Sequence, residues 1–433
     1  MQIRDISKNL MRSPLAKGFG ITLLGSGTSK AILMLATFLF THLLSKEDFG
    51  SFSFIRNTLN IIFCISALNF VGLVTKFTAE AQYKNESKAR LVLLFLFSLF
   101  ICAFIGIGLL VLPESTLNSI IGINSLNGYF RAVGLLLPMF MLQPLIEGVF
   151  RGMKMFKLIG ILQTFTAILF VILVCVGACW YGVDGAVFGL LTYYFVYALI
   201  STLICFRKLP IKRTLSKLTM ASLKSQLGIL WLMVLPVFVL SFVEAPINWW
   251  AQVLMAKYDT IGAVGSMSAI LQIRNLLIII PNYFFSTFTT FQATLNAQNN
   301  QVKYFSNLKR VFVGCLFVGI VGTIGLALCG SFVLGLYGES YKADINAFYV
   351  AMLAFPMMIT TGLMKSSLLI KEHQQLMLIA SILSSIGQIG TMYVLLPQGV
   401  NPVSTYFWGQ IMYYLITFVI CGSCCIYDKK ISV

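Results

Sequence analysis

The chain has 433 residues, of which 58% are hydrophobic and only 10% are charged, and its formal net charge is +17. Soluble domains carry roughly 25% charged residues, so this composition excludes an ordinary soluble domain and indicates a protein that crosses a membrane many times. The positive charge alone would be compatible with a nucleic-acid-binding protein, so the positions of the charged residues must be considered.

The chain begins with a basic amphipathic segment. Residues 1–17 carry four Lys or Arg residues, with Ile3, Ile6 and Leu10 on another face, which predicts a helix in the membrane interface and not a cleaved signal. Twelve apolar segments follow, each near the ~20 residues that cross a bilayer. These predicted spans are 18–42, 51–75, 91–112, 130–150, 158–181, 184–206, 226–250, 262–292, 308–336, 345–370, 375–396 and 402–427.

Basic residues alternate between the two sides of the membrane in the connections between these spans. The connections on the side of the N-terminus hold 23 Lys or Arg residues, whereas the opposite connections hold 3, namely Lys46, Lys257 and Lys342. The positive-inside rule therefore predicts that both termini lie in the cytoplasm. The positive charge faces anionic lipid, so membrane lipids are expected partners and nucleic acid is not.

The second half of the sequence resembles the first. The triplet Ile-Arg-Asn occurs at 55–57 and again 218 positions later at 273–275, and two further short matches recur at nearly the same offset. Paired six-helix repeats are a common transporter plan, with the substrate site between the halves. The alternative is a chance similarity between apolar segments.

We therefore predict an all-α polytopic membrane protein with 12 transmembrane helices in two six-helix repeat lobes around a central cavity. The predicted N-terminal lobe is 1–206, with the basic interfacial helix at its start. The predicted C-terminal lobe is 226–433, and a cytoplasmic linker at 207–225 joins the two lobes.

Few charges remain within the predicted spans, and most of them are basic. A cation near the bilayer centre costs about 2.5–3.5 kcal/mol, so it usually faces a wet cavity or a partner. Polar stripes on spans one, two, seven and eight favour a cavity, although hydrogen bonds between helices explain the amide and hydroxyl side chains equally well. The candidate cavity cations are Lys30, Arg56, Arg274 and Lys365, and the candidate cavity amides are Asn60, Asn248, Gln272 and Asn275.

Arg56 and Arg274 are the arginines of the repeated triplet. A guanidinium group binds phosphate oxygens in a forked geometry that a lysine does not provide, so the pair predicts an anionic substrate such as a pyrophosphate. The alternative is that both arginines pair with Glu244 or with helix ends and act as structural locks.

Two acidic residues in the spans are candidates for ion coupling or gating. Glu147 lies in span four, and at the repeat offset it corresponds to Lys365, which allows either a salt bridge between the halves or a coupling role. Glu244 precedes Pro246, where the sequence predicts an interrupted helix. Either H⁺ or Na⁺ would serve as the coupling ion.

The sequence predicts no enzyme, no cofactor and no metal site. The cluster "CGSCC" at 421–425 lacks paired ligand spacing, and His42 and His373 are interpreted as ordinary residues at span ends. The segment "GSGTSK" at 25–30 lies in a membrane span and lacks the full phosphate-loop spacing. No nucleophile and base are paired in a recognisable pattern.

The twelve spans, the basic N-terminal segment and the stretch "LLSKEDFGSFSFIRNTLN" at 43–60 resemble the polysaccharide transporters of the multidrug/oligosaccharidyl-lipid/polysaccharide flippase (MOP) superfamily. Within that superfamily the chain is most similar to bacterial O-antigen flippases. The resemblance implies two lobes around a cavity lined by spans one, two, seven and eight. It also implies that Lys30, Arg56 and Arg274 serve the anionic headgroup of the substrate.

The implied substrate is an undecaprenyl-pyrophosphate-linked oligosaccharide. It would move from the cytoplasmic to the periplasmic leaflet of the bacterial inner membrane by ion-coupled alternating access, with a polysaccharide polymerase and a chain-length regulator as further partners. Two other transporters remain as alternatives, an ion-coupled drug exporter and a sugar transporter. A cationic span one counts against the exporter, and a missing signature between spans two and three counts against the sugar transporter.

Overall fold

The computed structural model of the chain describes residues 14–67, 70–81, 85–113, 115–116, 127–208, 220–298, 300–371 and 373–432. At some helical positions, including Glu244, the backbone is described and the side chain is not. Most of the predicted N-terminal interfacial helix and residues 209–219 of the predicted linker lie outside the described residues.

All the longer elements in the described part of the chain are helices. In the N-terminal half they are α1 (Pro14–Leu43), α2 (Lys46–Ser66), α3 (Val71–Glu80), α4 (Asn85–Val111), α5 (Asn127–Phe140), α6 (Leu142–Gly152) and α7 (Phe156–Lys208). In the C-terminal half they are α8 (Met220–Tyr258), α9 (Ile261–Ala297), α10 (Gln301–Gly335), α11 (Ile345–Ile370), α12 (Gln374–Leu395) and α13 (Pro402–Ser432). Short 3₁₀ turns precede α11 (Glu339–Asp344) and follow α12 (Leu396–Gln398).

Helices suit these sequences because hydrocarbon offers no water to backbone polar groups, and a helix satisfies them within the segment. The threonines in the apolar runs are satisfied in the same way. Thr37 donates to the carbonyl of Leu33 at 2.9 Å, and Thr75 donates to that of Val71 at 2.7 Å, each four residues back. A threonine in a predicted polar stripe therefore does not by itself require a water-filled surface.

Eight helical segments among the described residues are long and apolar enough to cross a membrane. One of them, α7, has 53 residues and covers two predicted spans, because its backbone leaves the helical conformation at Tyr181 and Gly182. Gly182 has a φ of 59°, which a glycine adopts without a steric penalty. The exact number of twelve spans stays a prediction.

The predicted interruption of span seven at Pro246 is wrong, because α8 is one helix from Met220 to Tyr258. A proline removes one backbone donor, and membrane helices tolerate that loss where neighbouring groups satisfy the freed carbonyl.

The chain forms two compact units. The first unit comprises Met1–Leu44 and Ile55–Ala245, and the second comprises Ser45–Phe54 and Pro246–Val433. Both α2 and α8 therefore contribute residues to each unit. The predicted lobe boundaries at 206 and 226 remain predictions.

Within the first unit, α1 packs along α7, α4 packs on α5, and α3 packs on α6. The two parts of α7 approach each other closely at Gly177 and Gly185, where a Cβ atom on either residue would meet the backbone carbonyl of the other.

Within the second unit, α13 packs against both α11 and α12, and α11 also packs against α9 and α10. One core cluster of this unit is built around Phe285, Phe355, Ile359 and Leu363. The helix α13 is consequently in a position to receive side chains from several neighbouring helices.

Candidate functional site

Arg274 is the most deeply buried of the predicted cavity cations. It lies on α9 with only 4% of its surface exposed, and its guanidinium group lies over the ring of Phe407 on α13 at 5.8 Å. Its Nη1 donates to Oε1 of Gln410 on the same helix. Its Nε has no hydrogen-bond partner in the described part of the chain. Arg274 thus retains an unused donor beside neutral neighbours.

The amide of Gln410 is oriented for this contact. Its Nε2 donates to the hydroxyl oxygen of Tyr406 at 2.8 Å, so its carbonyl oxygen is left to accept from Arg274. Gln410 is 8% exposed and Tyr406 is 3% exposed. The orientation of the arginine is therefore set by two buried residues of α13.

Lys365, on α11, also contacts α13. Its Nζ lies 5.4 Å from the centre of the Tyr413 ring and donates to the hydroxyl oxygen of Tyr413 at 3.2 Å. Gln410 and Tyr413 are three positions apart, so they are neighbours on the helix surface. The face of α13 formed by Phe407, Gln410 and Tyr413, which we call the receiving face, collects both predicted cations of the second unit.

Arg56 lies on α2 in the first unit and is half-buried. Its guanidinium group lies over the ring of Phe170 on α7 at 5.4 Å. Tyr193 and Tyr194 of α7 are close enough to interact electrostatically with Arg56, and the Tyr193 ring packs edge-on against Phe170 at 5.1 Å. Each arginine of the repeated triplet therefore lies beside aromatic side chains of its own unit.

Glu147 lies on α6 in the first unit. Its Oε1 accepts from Nη2 of Arg151 at 2.6 Å and from Nε2 of Gln163 at 2.9 Å. Tyr197 of α7 lies near both Glu147 and Thr166, and Tyr193 also lies near Thr166. The surroundings of Glu147 and of Arg56 are therefore adjacent along α7.

The other predicted site residues have less defined surroundings. Lys30 on α1, Asn60 on α2 and Asn275 on α9 are exposed, and Gln272 on α9 is half-buried. The side chain of Glu244 lies outside the described residues, so its predicted role in coupling or gating stays a prediction.

Asn248 lies near one end of α8, in the second unit. Its side-chain oxygen accepts from Gln388 of α12 at 3.5 Å. The neighbouring Trp250 donates to the Tyr393 hydroxyl at 3.0 Å. An apolar groove of about 540 Å³ runs beside these residues and is lined by Pro246, Ile247, Trp249, Trp250, Ser385, Ile386, Ile389, Gly390 and Tyr393.

The sequence interpretation missed the aromatic and amide residues that surround the cations, chiefly Phe170, Phe407 and Gln410. The sequence does contain a pattern that could have identified the tyrosines among these residues. The pair Tyr-Tyr occurs in "TYYFVY" at 192–197 and in "MYYLIT" at 412–417, 220 positions apart. Tyrosine pairs at matching places in two apolar segments indicate positions that face a polar neighbour, because a buried tyrosine hydroxyl usually needs a partner.

Solved membrane transporters share this fold. An inward-facing structure of a multidrug resistance MATE family transporter of the MOP superfamily superposes with a TM-score of 0.75, covering 93% of this chain and 95% of the other at 14% identity. A MOP superfamily transporter from Pyrococcus furiosus, whose binding pocket is described as having reversed polarity, superposes with a TM-score of 0.65. That match has 17% identity and covers 97% of this chain and 98% of the other.

The fold is thus that of a multi-pass membrane transporter, and the predicted all-α class is confirmed. Residues 15–286 match the family described as polysaccharide biosynthesis protein. The chain belongs to this family, and the resemblance to the MOP superfamily is confirmed. A search of the curated proteins finds no relative of the chain.

Proposed function

We propose that the protein flips undecaprenyl-pyrophosphate-linked O-antigen or related polysaccharide repeat units from the cytoplasmic to the periplasmic leaflet of a bacterial inner membrane. Its family and its fold support membrane transport linked to polysaccharide biosynthesis. The substrate class is inferred from the charges in the spans.

The observation that carries this proposal is the environment of Arg274. A guanidinium group stays charged at any physiological pH, and here it is buried with one donor unused and with neutral partners on the receiving face. Such a group is costly unless an anion compensates it at some stage. A pyrophosphate would provide the oxygen acceptors and the negative charge that Arg274 does not find among the described side chains.

Lys365 supports the same interpretation because it contacts the receiving face one turn from Gln410. Arg56 supplies a second guanidinium group in the other unit. A transporter of cationic drugs would favour carboxylates in these places. The described polarity of the Pyrococcus furiosus relative indicates that pocket charge differs among proteins of this fold.

Transport against a gradient requires a coupling ion, and Glu147 is the candidate for proton coupling. It is a carboxylate one turn from Arg151 on α6, in the same unit as Arg56. Loss of the Glu147 charge would break its ion pair with Arg151, which gives a coupling role a structural consequence in the first unit.

The test is a deletion of the gene in its host, followed by quantification of lipid-linked repeat units in the cytoplasmic leaflet and of polymer at the cell surface. We expect the repeat units to accumulate inside and the surface polymer to be lost, with both restored by the intact gene and not by Arg274→Ala. Normal surface polymer in a strain without a second flippase would reject the proposal. Altered drug resistance or sugar uptake in that strain would favour a drug exporter or a sugar transporter.

A further inference from the structure

Three side chains with metal-binding atoms meet at one end of α13, in the second unit. His373 lies in the short connection between α11 and α12, and Cys424 and Asp428 lie on the last turns of α13. One donor atom from each residue lies within 4.8 Å of the other two. The Nε2 atom of His373 is 3.1 Å from both carboxylate oxygens of Asp428.

The spacing of Cys424 and Asp428 explains their shared orientation. Residues four apart on a helix lie on the same face, one above the other. His373 is brought to that face by the turn after α11, where its N–H donates to the carbonyl of Leu368 at 3.0 Å, and by α12, whose Met377 N–H donates to the carbonyl of His373 at 3.2 Å. The donors thus come from two segments that are held independently.

The packing beneath the three residues fixes these segments relative to each other. Leu368, Ala380 and Cys421 form a buried cluster that joins the ends of α11, α12 and α13, and Cys424 packs against it. Above this cluster, the side chain of His373 is 40% exposed and that of Asp428 is 14% exposed. The donors are therefore preorganised and still reachable from solvent.

We propose that His373, Cys424 and Asp428 bind a zinc ion. Bonds of about 2.0–2.3 Å in a tetrahedral site place ligand atoms about 3.2–3.8 Å apart, so donor atoms that lie within 4.8 Å of one another would draw closer around the metal. Thiolate and imidazole donors favour zinc over magnesium or calcium. Three protein ligands leave one position for water.

Binding has a defined proton balance. The Cys424 thiol loses its proton to solvent as the sulfur–zinc bond forms, and His373 binds through Nε2 with its remaining proton on Nδ1. The zinc replaces the contact between His373 and Asp428 with two metal bonds. Without a metal, His373 and Asp428 would form an ion pair alone and Cys424 would only pack against the apolar cluster beneath them.

The site is independent of the transport proposal, because none of its residues belongs to the receiving face or to the surroundings of Arg56. By the charge distribution of the connections, this end of α13 is predicted to face the cytoplasm. A bound zinc would connect the α11–α12 turn to the end of α13.

The test uses the purified full-length protein in detergent, titrated with Co²⁺ and then with Zn²⁺ against a chromogenic chelator. We expect a thiolate-to-cobalt charge-transfer band that zinc abolishes, and a loss of zinc affinity of at least about tenfold in each of His373→Ala, Cys424→Ser and Asp428→Asn. The control is Cys329→Ser, which removes an exposed thiol of α10 outside the cluster.

Two results would overturn the proposal. One is a wild-type protein that shows no thiolate band and binds zinc no more tightly than Cys424→Ser. The other is a loss of thermal stability in His373→Ala and Asp428→Asn with zinc affinity unchanged in all three variants, which would identify the pair as an ion pair alone.

Discussion

Arg274 holds a permanent charge at a place where little of its surface is exposed. Its described contacts orient the guanidinium group without neutralising it, because the Gln410 amide and the Phe407 ring are both uncharged. Aromatic faces attract cations by about 0.5–2 kcal/mol, which offsets part of the cost of burial. Among the described residues, Arg274 therefore keeps its full charge and one unused donor, the Nε–H.

We expect Arg274→Ala to abolish export and Arg274→Lys to reduce it by at least tenfold, since a lysine keeps the charge but loses the fork that binds two phosphate oxygens. The measurement is surface polysaccharide in the complemented deletion strain, normalised to the amount of protein in the membrane. Arg310→Ala, which removes an exposed arginine of α10, is the control and should export normally. Wild-type export by Arg274→Ala would show that the arginine only supports the structure.

Glu147→Gln should uncouple export from the proton gradient, because glutamine preserves the size of the side chain but cannot exchange a proton. Export by the wild type should fall when the proton gradient is collapsed, whereas the residual export of the variant should not respond. Glu339→Gln, an exposed acid paired with Lys342, serves as the control. An unchanged response in Glu147→Gln would remove this residue from the coupling mechanism.

The first residues of α2 belong to the second unit, and a polar cluster within that unit holds them. Lys46 Nζ donates to Asp344 at 2.7 Å, and the Ser266 hydroxyl donates to the same carboxylate oxygen at 2.6 Å. Asp344 is only 6% exposed. Lys46 was assigned from the sequence to an outer connection as a simple loop charge, and the pairing with a residue 298 positions away could not be derived from local pattern.

Replacing Asp344 with Asn should destabilise the purified protein by about 1.5–3 kcal/mol, the usual contribution of hydrogen bonds to charged groups. Thermal unfolding in detergent measures this loss. Ser340→Ala is the matched control, because Lys46 contacts the backbone carbonyl of Ser340 and the substitution retains it. Equal unfolding temperatures for Asp344→Asn and the wild type would exclude a stabilising role for the cluster.

The two parts of α7 have little room between them at Gly177 and Gly185. A leucine at Gly185 would collide with the Gly177 backbone, and overpacking of this kind costs typically about 1–3 kcal/mol. We expect Gly185→Leu to lower the unfolding temperature and the yield in the membrane. Gly108→Leu on α4, where no atom lies within 4 Å of the added Cβ, should have neither effect. Normal stability of Gly185→Leu would mean that the two parts of α7 separate easily.

Long apolar segments made the helical class predictable, because only helices and closed barrels satisfy the backbone in lipid. Helix breaks were less predictable, because they depend on how the surrounding helices pack. The sequence indicated a break at Pro246, but α8 continues through it, whereas Gly182 allows a reversal inside α7 that apolar composition does not reveal. Arg56, Arg274 and Lys365 could be found because charges are rare in apolar segments. Their aromatic and amide partners were missed because such uncharged residues are common there.

The distribution of Lys and Arg over the whole chain predicts the orientation of the protein. Reporter fusions should show the termini and the 209–219 segment in the cytoplasm and the connection containing Lys257 outside, as 23 basic residues against 3 require. If only the connection containing Lys257 were found in the cytoplasm, the number of spans that precede Lys257 would differ by one from the prediction. Reversal of both termini would contradict the charge rule for this protein.

The crossing of α2 between the two units has a consequence for biosynthesis. Residues 45–54 leave the ribosome early, but the rest of their unit begins at Pro246. At about 5–20 residues per second, the first residues of α2 wait roughly 10–40 s for the rest of their unit. During that interval Lys46 has no Asp344 to bind, so a nascent chain that stalls before Pro246 leaves the start of α2 without this partner.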